Sequence, residues 1–265
     1  MSRMTVADLL ACKGKRKLTK VTLQDVVLAR AAEAAGIEVA TARLAPGIDQ
    51  IRAAAPSLFL VFGLRHGESH SKKAELARAF DAMERGADAV YCPMRKKVVR
   101  RLADEGVPVV GHVGLIPRRA TWTGGMKPVG KTVAQAEKVW DAVRRYEDAG
   151  AIAVEMELVP ERVATEIARR TSMIVFSMGS GGGCDGDFLF TSDITGETEG
   201  RIPRHARVYA DLAAEQARLH RMRVAALRAF REECDSGAFP SARETVAIED
   251  EEFAAFLDRL DRPAS

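Results

Sequence analysis

Short apolar runs alternate with amphipathic stretches along the first three quarters of the chain. The runs are rich in β-branched and aromatic side chains and are bounded by turn residues, which is typical of buried strands. Apolar residues spaced three and four apart predict helices over 72–86, 132–150 and 160–171. The apolar runs predict strands over residues 20–24, 38–43, 57–63, 87–92, 108–113, 151–157, 173–179 and, with the weakest pattern, 188–191.

The alternation of strand and helix predicts a parallel sheet that is buried on both faces, because the strand cores are nearly continuous in apolar residues. Eight such units favour a closed (β/α)8 TIM barrel over a doubly wound open sheet. From residue 205 to 237 the pattern is helical and lacks strands. We therefore expect a barrel over 1–203 and a C-terminal helical extension over 204–265, packed on the barrel or on a neighbouring subunit.

The sixth predicted strand carries Glu155 and Glu157 on one face, since side chains alternate across a strand. A buried carboxylate without a partner is costly, and functional groups of a barrel collect at the C-terminal ends of its strands. We expect Glu157 to point into a pocket at the barrel mouth and Glu155 to lie one layer deeper, paired with a cation. Glu157 is either a general acid/base or a member of a structural ion pair.

His112 ends the fifth predicted strand. A histidine there acts as a general acid, a metal ligand or a substrate clamp, or it is a core residue with satisfied hydrogen bonds. Cys92 ends the fourth strand, where it is either a nucleophile or, more simply, a buried structural thiol.

Two glycine-rich segments follow these strands. The loop over 113–132 presents Lys127 and Lys131 to an anion, and Thr132 can cap the next helix. Its stretch "GMKPVGKT" has the spacing of a phosphate-binding loop but does not follow a strand directly. The "GSGGG" at 179–183 either cradles an anion with backbone N–H groups or allows close packing.

Composition excludes several classes of protein. The net charge of +3 is nearly balanced, which argues against a dedicated nucleic-acid binder. No stretch approaches the roughly 18 apolar residues of a membrane span, and the basic N-terminus lacks the apolar segment of a secretion signal. The four cysteines form no C-x-x-C pair, so we expect a cytoplasmic protein.

Three blocks together resemble the ketopantoate hydroxymethyltransferase (3-methyl-2-oxobutanoate hydroxymethyltransferase) family. They are "VPVVGHVGLIPRRATWTGGMKPVGKT", "AGAIAVEMELVPERVATEIARRTSM" and "SMGSGGGCDGDFLFTSDITG". The resemblance implies a barrel of the phosphoenolpyruvate mutase/isocitrate lyase type, assembled as a homo-oligomer. It implies transfer of a one-carbon unit from methylenetetrahydrofolate to an α-keto acid, in pantothenate biosynthesis. Glu157 matches the family's catalytic glutamate and His112 its active-site histidine.

The resemblance also implies a divalent metal, typically Mg²⁺, which chelates the keto acid and stabilises its enolate. The family's metal and substrate residues at the ends of strands two, three and four do not carry over. Leu44 and Ala45 stand where an Asp-Ser pair is expected, Gly63 where an aspartate is, and Tyr91 and Pro93 replace a Lys-x-Glu. Because Mg²⁺ prefers oxygen ligands, we expect it to bind weakly or not at all.

Other residues could compensate. His66, Glu68 and His70 form a cluster capable of binding a transition metal, or they belong to a solvated loop. Arg43 and Arg65 could supply a fixed positive charge to a substrate carboxylate. The candidate substrate-binding residues are therefore Arg43, Arg65, Tyr91, Lys127, Lys131 and Ser180.

Three hypotheses follow: a hydroxymethyltransferase with rearranged ligands, a diverged metal-independent carbon–carbon lyase or transferase on another α-keto acid, and a non-catalytic paralogue. Retention of Glu157 and His112 favours catalysis.

Overall fold

The computed structural model describes residues 3–64, 72–93 and 95–261. The chain divides into two compact units, Met1–Ala210 and Asp211–Ser265. The first unit contains every strand in the described part of the chain and the second contains two helices. The predicted division into 1–203 and 204–265 remains a prediction.

The first unit is a closed barrel of eight parallel strands that pair in chain order, and β8 closes on β1. The closed (β/α)8 prediction is therefore confirmed. The strands are β1 Leu18–Leu23, β2 Val39–Arg43, β3 Phe59–Gly63, β4 Ala89–Tyr91, β5 Val109–Gly114, β6 Ala153–Glu157, β7 Ile174–Met178 and β8 Gly186–Leu189.

Helices follow the strands, and polar side chains cap several of them. Thr5 and Asp25 accept hydrogen bonds from the first turns of α1 and α2, and Thr132 caps α7 as predicted. The helices of this unit are α1 Val6–Ala11, α2 Val26–Ala34, α3 Ile48–Ala54, α4 Lys72–Glu84, α5 Lys96–Asp104, α6 Ala120–Thr123, α7 Val133–Glu147, α8 Glu161–Arg170 and α9 Thr191–Thr195; a short 3-10 turn spans Pro117–Arg119.

The second unit contains α10 Leu212–Ser236 and α11 Asp250–Leu260. Asp211 caps α10 at its N-terminus, and Gly237 ends it in the left-handed conformation, as glycine readily does. None of the helices in the described ranges combines the length and the apolar character that a membrane crossing requires.

The barrel has two cores, because alternate residues of each strand face opposite ways. Outward residues such as Val21 and Val154 pack against the helices. Inward residues such as Leu18, Val110 and Phe176 fill the barrel. Lys20, on the inward face of β1, is 1% exposed. The interior therefore holds charged groups as well as apolar ones.

The eighth strand begins earlier than predicted, at Gly186. Its entry is held by Asp185, whose carboxylate accepts hydrogen bonds from the Val175 N–H at 2.9 Å and from Lys13 at 2.6 Å. Aspartate and glycine are typical of loops, so the sequence pattern predicts a loop where this strand begins.

Gly111 of β5 lets helix α7 approach the strand that carries His112. A Cβ at Gly111 would lie 2.5 Å from the Tyr146 ring, closer than carbon atoms can pack. The absence of a side chain therefore decides how α7 supports β5.

We expect Gly111→Ala to lower the free energy of unfolding by about 1–3 kcal/mol, because the added methyl overpacks this contact. Gly182→Ala is the matched control, since its nearest neighbouring atom would be 3.9 Å away, and we expect it to stay within about 0.5 kcal/mol of the wild type. Urea denaturation measures both. Equal losses in the two variants would contradict this account of the β5–α7 contact.

Candidate active site

Three neighbouring strands bring four polar side chains together inside the barrel. Tyr91 ends β4, His112 lies near the end of β5, and Glu155 and Glu157 lie on β6. The register pairs His112 with Glu155, and Gly114 with Glu157. His112, Glu155 and Glu157 are each less than 7% exposed. The two carboxylates and the imidazole that were singled out in the sequence thus form one buried cluster.

His112 is held at both ring nitrogens. Its Nε2 lies 2.7 Å from the Leu115 carbonyl oxygen and 3.2 Å from Glu157 Oε2. Since both are acceptors, Nε2 carries a proton. Its Nδ1 lies 3.1 Å from the Tyr91 hydroxyl and 3.4 Å from Glu155 Oε2. Acceptors on both sides of the ring favour the doubly protonated imidazolium.

The expected cation partner of Glu155 is Lys20. Its Nζ lies 2.5 Å from Glu155 Oε1, which confirms that Glu155 is paired with a cation. The ammonium also lies 4.8 Å from the centre of the Phe176 ring and 4.7 Å from that of Phe188. Such contacts with aromatic faces stabilise a desolvated cation.

A sharp turn after β5 completes the cluster. Gly114 has φ +86, and a Cβ there would lie 2.2 Å from the Glu157 carbonyl oxygen. The turn lets the Leu115 N–H donate to that oxygen at 2.8 Å and aims the Leu115 carbonyl at His112. Only glycine fits this position, because φ is positive and the neighbouring strand is too close.

The residue after Glu157 is backbone-strained. Leu158 has φ 49, the left-handed region that branched side chains rarely adopt. Its N–H donates to the Met178 carbonyl and its own carbonyl accepts from the Val129 N–H. These two hydrogen bonds hold the strained turn in place directly behind Glu157. Strain of this kind is concentrated at functional sites.

The environment of the cluster shifts its ionisation. Burial alone would lower the pKa of His112, but hydrogen bonds to Glu155 and Glu157 raise it to about 9. Burial would raise the pKa of Glu155, yet Lys20 and His112 bring it below its usual value. Burial lowers the pKa of Lys20, and Glu155 opposes that shift. Burial, followed by the charge of Glu155, raises the pKa of Tyr91 far above its usual range.

The other predicted site residues lie in different settings. Arg43 is an exposed side chain at the end of β2. Lys127 and Lys131 are exposed on the loop that precedes α7. Ser180 is buried, and its hydroxyl donates to the Met156 carbonyl at 2.8 Å and accepts from the Val159 N–H at 3.0 Å. The Ser180 hydroxyl therefore links the end of β7 to the end of β6 in this structure.

The remaining predicted residues are Arg65, His66, Glu68 and His70, which lie outside the described residues.

The two glycine-rich segments bind groups of the chain itself. The Gly182 N–H donates to the Glu161 carboxylate at 3.0 Å, and a Cβ at Gly183 would overlap Thr165. The contacts of "GSGGG" thus favour close packing on α8. In the stretch "GMKPVGKT", which has the spacing of a phosphate-binding loop, the N–H groups of Gly130 and Lys131 both donate to the Gln135 side chain. A phosphate cradle would need those donors free.

The described ends of β2, β3 and β4 carry no carboxylate that could bind Mg²⁺. Where the family's metal residues are expected, the structure places Leu44, Gly63, Tyr91 and Pro93, none of which has a carboxylate. Within the described ranges, no group of three or more His, Cys, Asp or Glu side chains could hold a metal ion. Cys92 is fully buried in the outer core, as expected of a structural thiol.

Sequence comparison finds the same family over most of the chain. A family model described as ketopantoate hydroxymethyltransferase matches residues 38–242. The 3-methyl-2-oxobutanoate hydroxymethyltransferase of Deinococcus radiodurans is 34% identical over 269 residues, covering 92% of this chain and 91% of that protein. The enzyme of the same name from Nitratidesulfovibrio vulgaris is 30% identical, covering 98% of this chain and 90% of the relative.

Structure comparison agrees on the fold. A putative lyase/mutase from Burkholderia cenocepacia superposes with a TM-score of 0.52 over 95% of both chains, at 14% sequence identity. At this identity the likeness shows the fold alone. That fold is the closed (β/α)8 barrel.

The raised pKa of His112 predicts a pH-dependent stability. A group whose pKa rises from 6.5 when unfolded to about 9 when folded stabilises the fold fully below pH 6.5. That contribution is lost as the pH rises through 9. The full contribution is on the order of 3 kcal/mol, at about 1.4 kcal/mol per pKa unit. We expect the stability difference between wild type and His112→Gln to shrink from pH 6.5 to pH 9.5. Urea unfolding across this range measures it, and a difference that is constant with pH would contradict the assigned ionisation.

Proposed function

We propose that this chain, which belongs to the ketopantoate hydroxymethyltransferase family, transfers a hydroxymethyl unit to 3-methyl-2-oxobutanoate from methylenetetrahydrofolate. The family's enzymes act in pantothenate biosynthesis, and the comparisons favour this activity over the lyase and the non-catalytic alternatives. We further propose a cytoplasmic location, which fits four free cysteines.

One observation carries the proposal for the site. Glu157 ends β6 at the barrel mouth, and His112 is its hydrogen-bonding partner at 3.2 Å. A carboxylate that an imidazolium holds in one orientation at the barrel mouth is placed to act as a general base. Glu157 would remove the proton from C3 of the keto acid. The C3–H electron pair would then form the enolate. Water would add to the methylene carbon of the donor and its two C–N bonds would break, which releases tetrahydrofolate, with the water protons on its nitrogens, and a formaldehyde unit. C3 of the enolate would attack the carbon of that unit, and its oxygen would take the proton held by Glu157 to give the hydroxymethyl group.

His112 would act on Glu157 rather than on the substrate directly. Both of its ring nitrogens face acceptors of the protein. In this arrangement the imidazolium fixes the orientation of Glu157 and adds a positive charge near the developing enolate. A fixed charge in a buried site stabilises a transition state without reorganisation.

Substrate binding is assigned by position. Arg43 ends β2 at the same rim of the barrel as Glu157, and its guanidinium suits the carboxylate of a keto acid. The Tyr91 hydroxyl, next to His112, would contact the keto group. The loop lysines Lys127 and Lys131 would attract the anionic tail of the folate. Arg65, which lies outside the described residues, stays a candidate. The hydrogen bonds of the Ser180 hydroxyl to the backbone at the end of β6 make Ser180 a support of that strand.

The divalent metal of the family does not fit the described donor set. Residues at the ends of β2, β3 and β4 lack carboxylates, and a hard cation needs oxygen ligands. No step of the proposed chemistry therefore passes through Mg²⁺.

Proton exchange at C3 of 3-methyl-2-oxobutanoate tests the proposal without folate. NMR in deuterium oxide follows the loss of the C3 proton, first with EDTA and then with added Mg²⁺, Mn²⁺ or Co²⁺. We expect exchange in EDTA that Mg²⁺ does not accelerate. Glu157→Gln should slow it by at least about 100-fold, the scale of general-base catalysis. The control Glu137→Gln, an exposed carboxylate on α7, should leave the rate unchanged.

Each other outcome is decisive. Exchange that persists in Glu157→Gln would remove Glu157 as the base. Exchange that requires a metal would contradict the metal-free mechanism and would point to ligands outside the described residues. A wild type that shows no exchange under any of these conditions would overturn the proposed activity.

We also propose that the chain forms a homo-oligomer through its C-terminal extension. Helix α10 carries large apolar side chains that are exposed, among them Leu219, Met222 and Phe230, spaced at helical intervals. A contiguous apolar stripe of this kind is typical of an interface. A second copy of the chain is the proposed partner.

Substitution within this stripe tests the assembly. We expect Met222→Glu to lower the mass measured by light scattering, because a charge at an apolar interface is costly. The neighbouring exposed Arg221→Glu should keep the mass of the wild type. An unchanged mass in Met222→Glu, or a monomeric wild type, would contradict this interface.

A further inference from the structure

The ion pair between Lys20 and Glu155 lies inside the barrel, and the proposed chemistry gives it no direct part. The side chains are 0% and 5% exposed. Removing two charges from water is costly, and the attraction between them recovers this cost only with favourable geometry. Apolar residues of similar size would fill the same space more simply. The pair therefore requires an explanation.

The pair is continuous with the candidate base through three contacts. Lys20 bonds one oxygen of Glu155, and the other oxygen lies 3.4 Å from His112 Nδ1. His112 Nε2 in turn lies 3.2 Å from Glu157. The result is a buried chain of alternating sign: ammonium, carboxylate, imidazolium, carboxylate. The first two members lie beneath the mouth of the barrel, and the last reaches it.

We infer that Lys20 and Glu155 are positioning residues, which hold His112 as a doubly protonated imidazolium and thereby keep Glu157 oriented as the base. Glu155 supplies the acceptor that Nδ1 requires, and Lys20 neutralises Glu155 so that a second carboxylate can lie close to Glu157. Only the catalytic consequence rests on the proposed function; the charge state of His112 does not.

The other groups around His112 do not replace this pair. Tyr91 of β4 faces Nδ1 but is neutral, since its pKa is raised far above the usual range. Tyr146 of α7 hydrogen-bonds the backbone of His112. On β6, the Glu157 carboxylate contacts Nε2 of the His112 ring and leaves Nδ1 to Glu155. Glu155 is thus the charged group that faces Nδ1 among the described residues, and Lys20 is its cation.

A purely structural role makes a different prediction. Replacing a buried ion pair by apolar residues is often neutral or stabilising, whereas removing one partner leaves an uncompensated charge. The double variant Lys20→Met/Glu155→Leu removes both charges together and keeps a packed interior. A pair that only fills space would leave the titration of His112 unchanged in this variant.

The test is an NMR titration of the His112 ring, assigned by comparison with His112→Gln. In the wild type we expect a midpoint near pH 9, consistent with the direction set by the two carboxylates. In the double variant the midpoint should fall by at least about one pH unit, because one of the two carboxylates is gone. The alkaline limb of the C3 exchange rate should move down by the same amount.

A control removes an ion pair elsewhere. Arg85→Gln/Asp81→Asn deletes an exposed pair at the end of α4 and should leave the midpoint where it is. An unchanged midpoint in the Lys20/Glu155 double variant would overturn the inference. If that variant fails to fold, the wild type decides: a His112 midpoint at or below pH 6.5 overturns it as well.

Failure of the inference and failure of the proposed function are distinguishable. A wild type with the high midpoint but no exchange at C3 would retain the charge chain and reject the activity. Exchange with an ordinary His112 midpoint would do the reverse.

Discussion

The ion pair of Lys20 with Glu155 is the interaction on which the candidate site depends. Two carboxylates on one face of a buried strand would repel each other and lose their hydration. The ammonium beneath them and the imidazolium between them remove both problems, because each carboxylate then has a cation in contact. Phe176 and Phe188 add their ring faces to the ammonium. The barrel interior can therefore be polar at its centre and still remain closed.

Much of this arrangement could be predicted from the sequence. The strand periodicity placed Glu155 and Glu157 on one face, and the rule for barrel strand ends placed His112 beside them. The cation for Glu155 could be expected but not identified. The sequence pattern predicts a strand that starts at residue 20, whereas β1 begins at Leu18, so Lys20 lies within the strand and faces inward. The closure of the barrel decides which strand faces β6 across the interior, and the local pattern of apolar residues carries no information about this.

Other features depend on contacts between segments that are remote in sequence. The sequence makes Ser180 a candidate substrate-binding residue within the glycine-rich segment. In the structure its hydroxyl donates a hydrogen bond to the backbone of the neighbouring strand. The sequence suggests that the Gly182 N–H could bind an anion, but in the fold this N–H donates to the Glu161 carboxylate of α8. In both cases the sequence identifies the hydrogen-bonding group correctly, but its partner is set by tertiary packing and could not be predicted. The requirement for glycine at position 114 also depends on tertiary packing, because β6 approaches this residue too closely for a Cβ.

The alternating charges have a consequence for how ligands arrive. The two buried carboxylates and the two cationic groups in contact with them largely cancel, so their net field outside the barrel is weak. Anionic ligands approaching from solution are instead drawn by the exposed basic side chains at the rim, Arg43 and the loop lysines. Capture at the mouth is then sensitive to ionic strength, because mobile ions screen exposed charges. Proton removal at the buried cluster is much less sensitive to ionic strength, because buried charges are screened less than exposed ones.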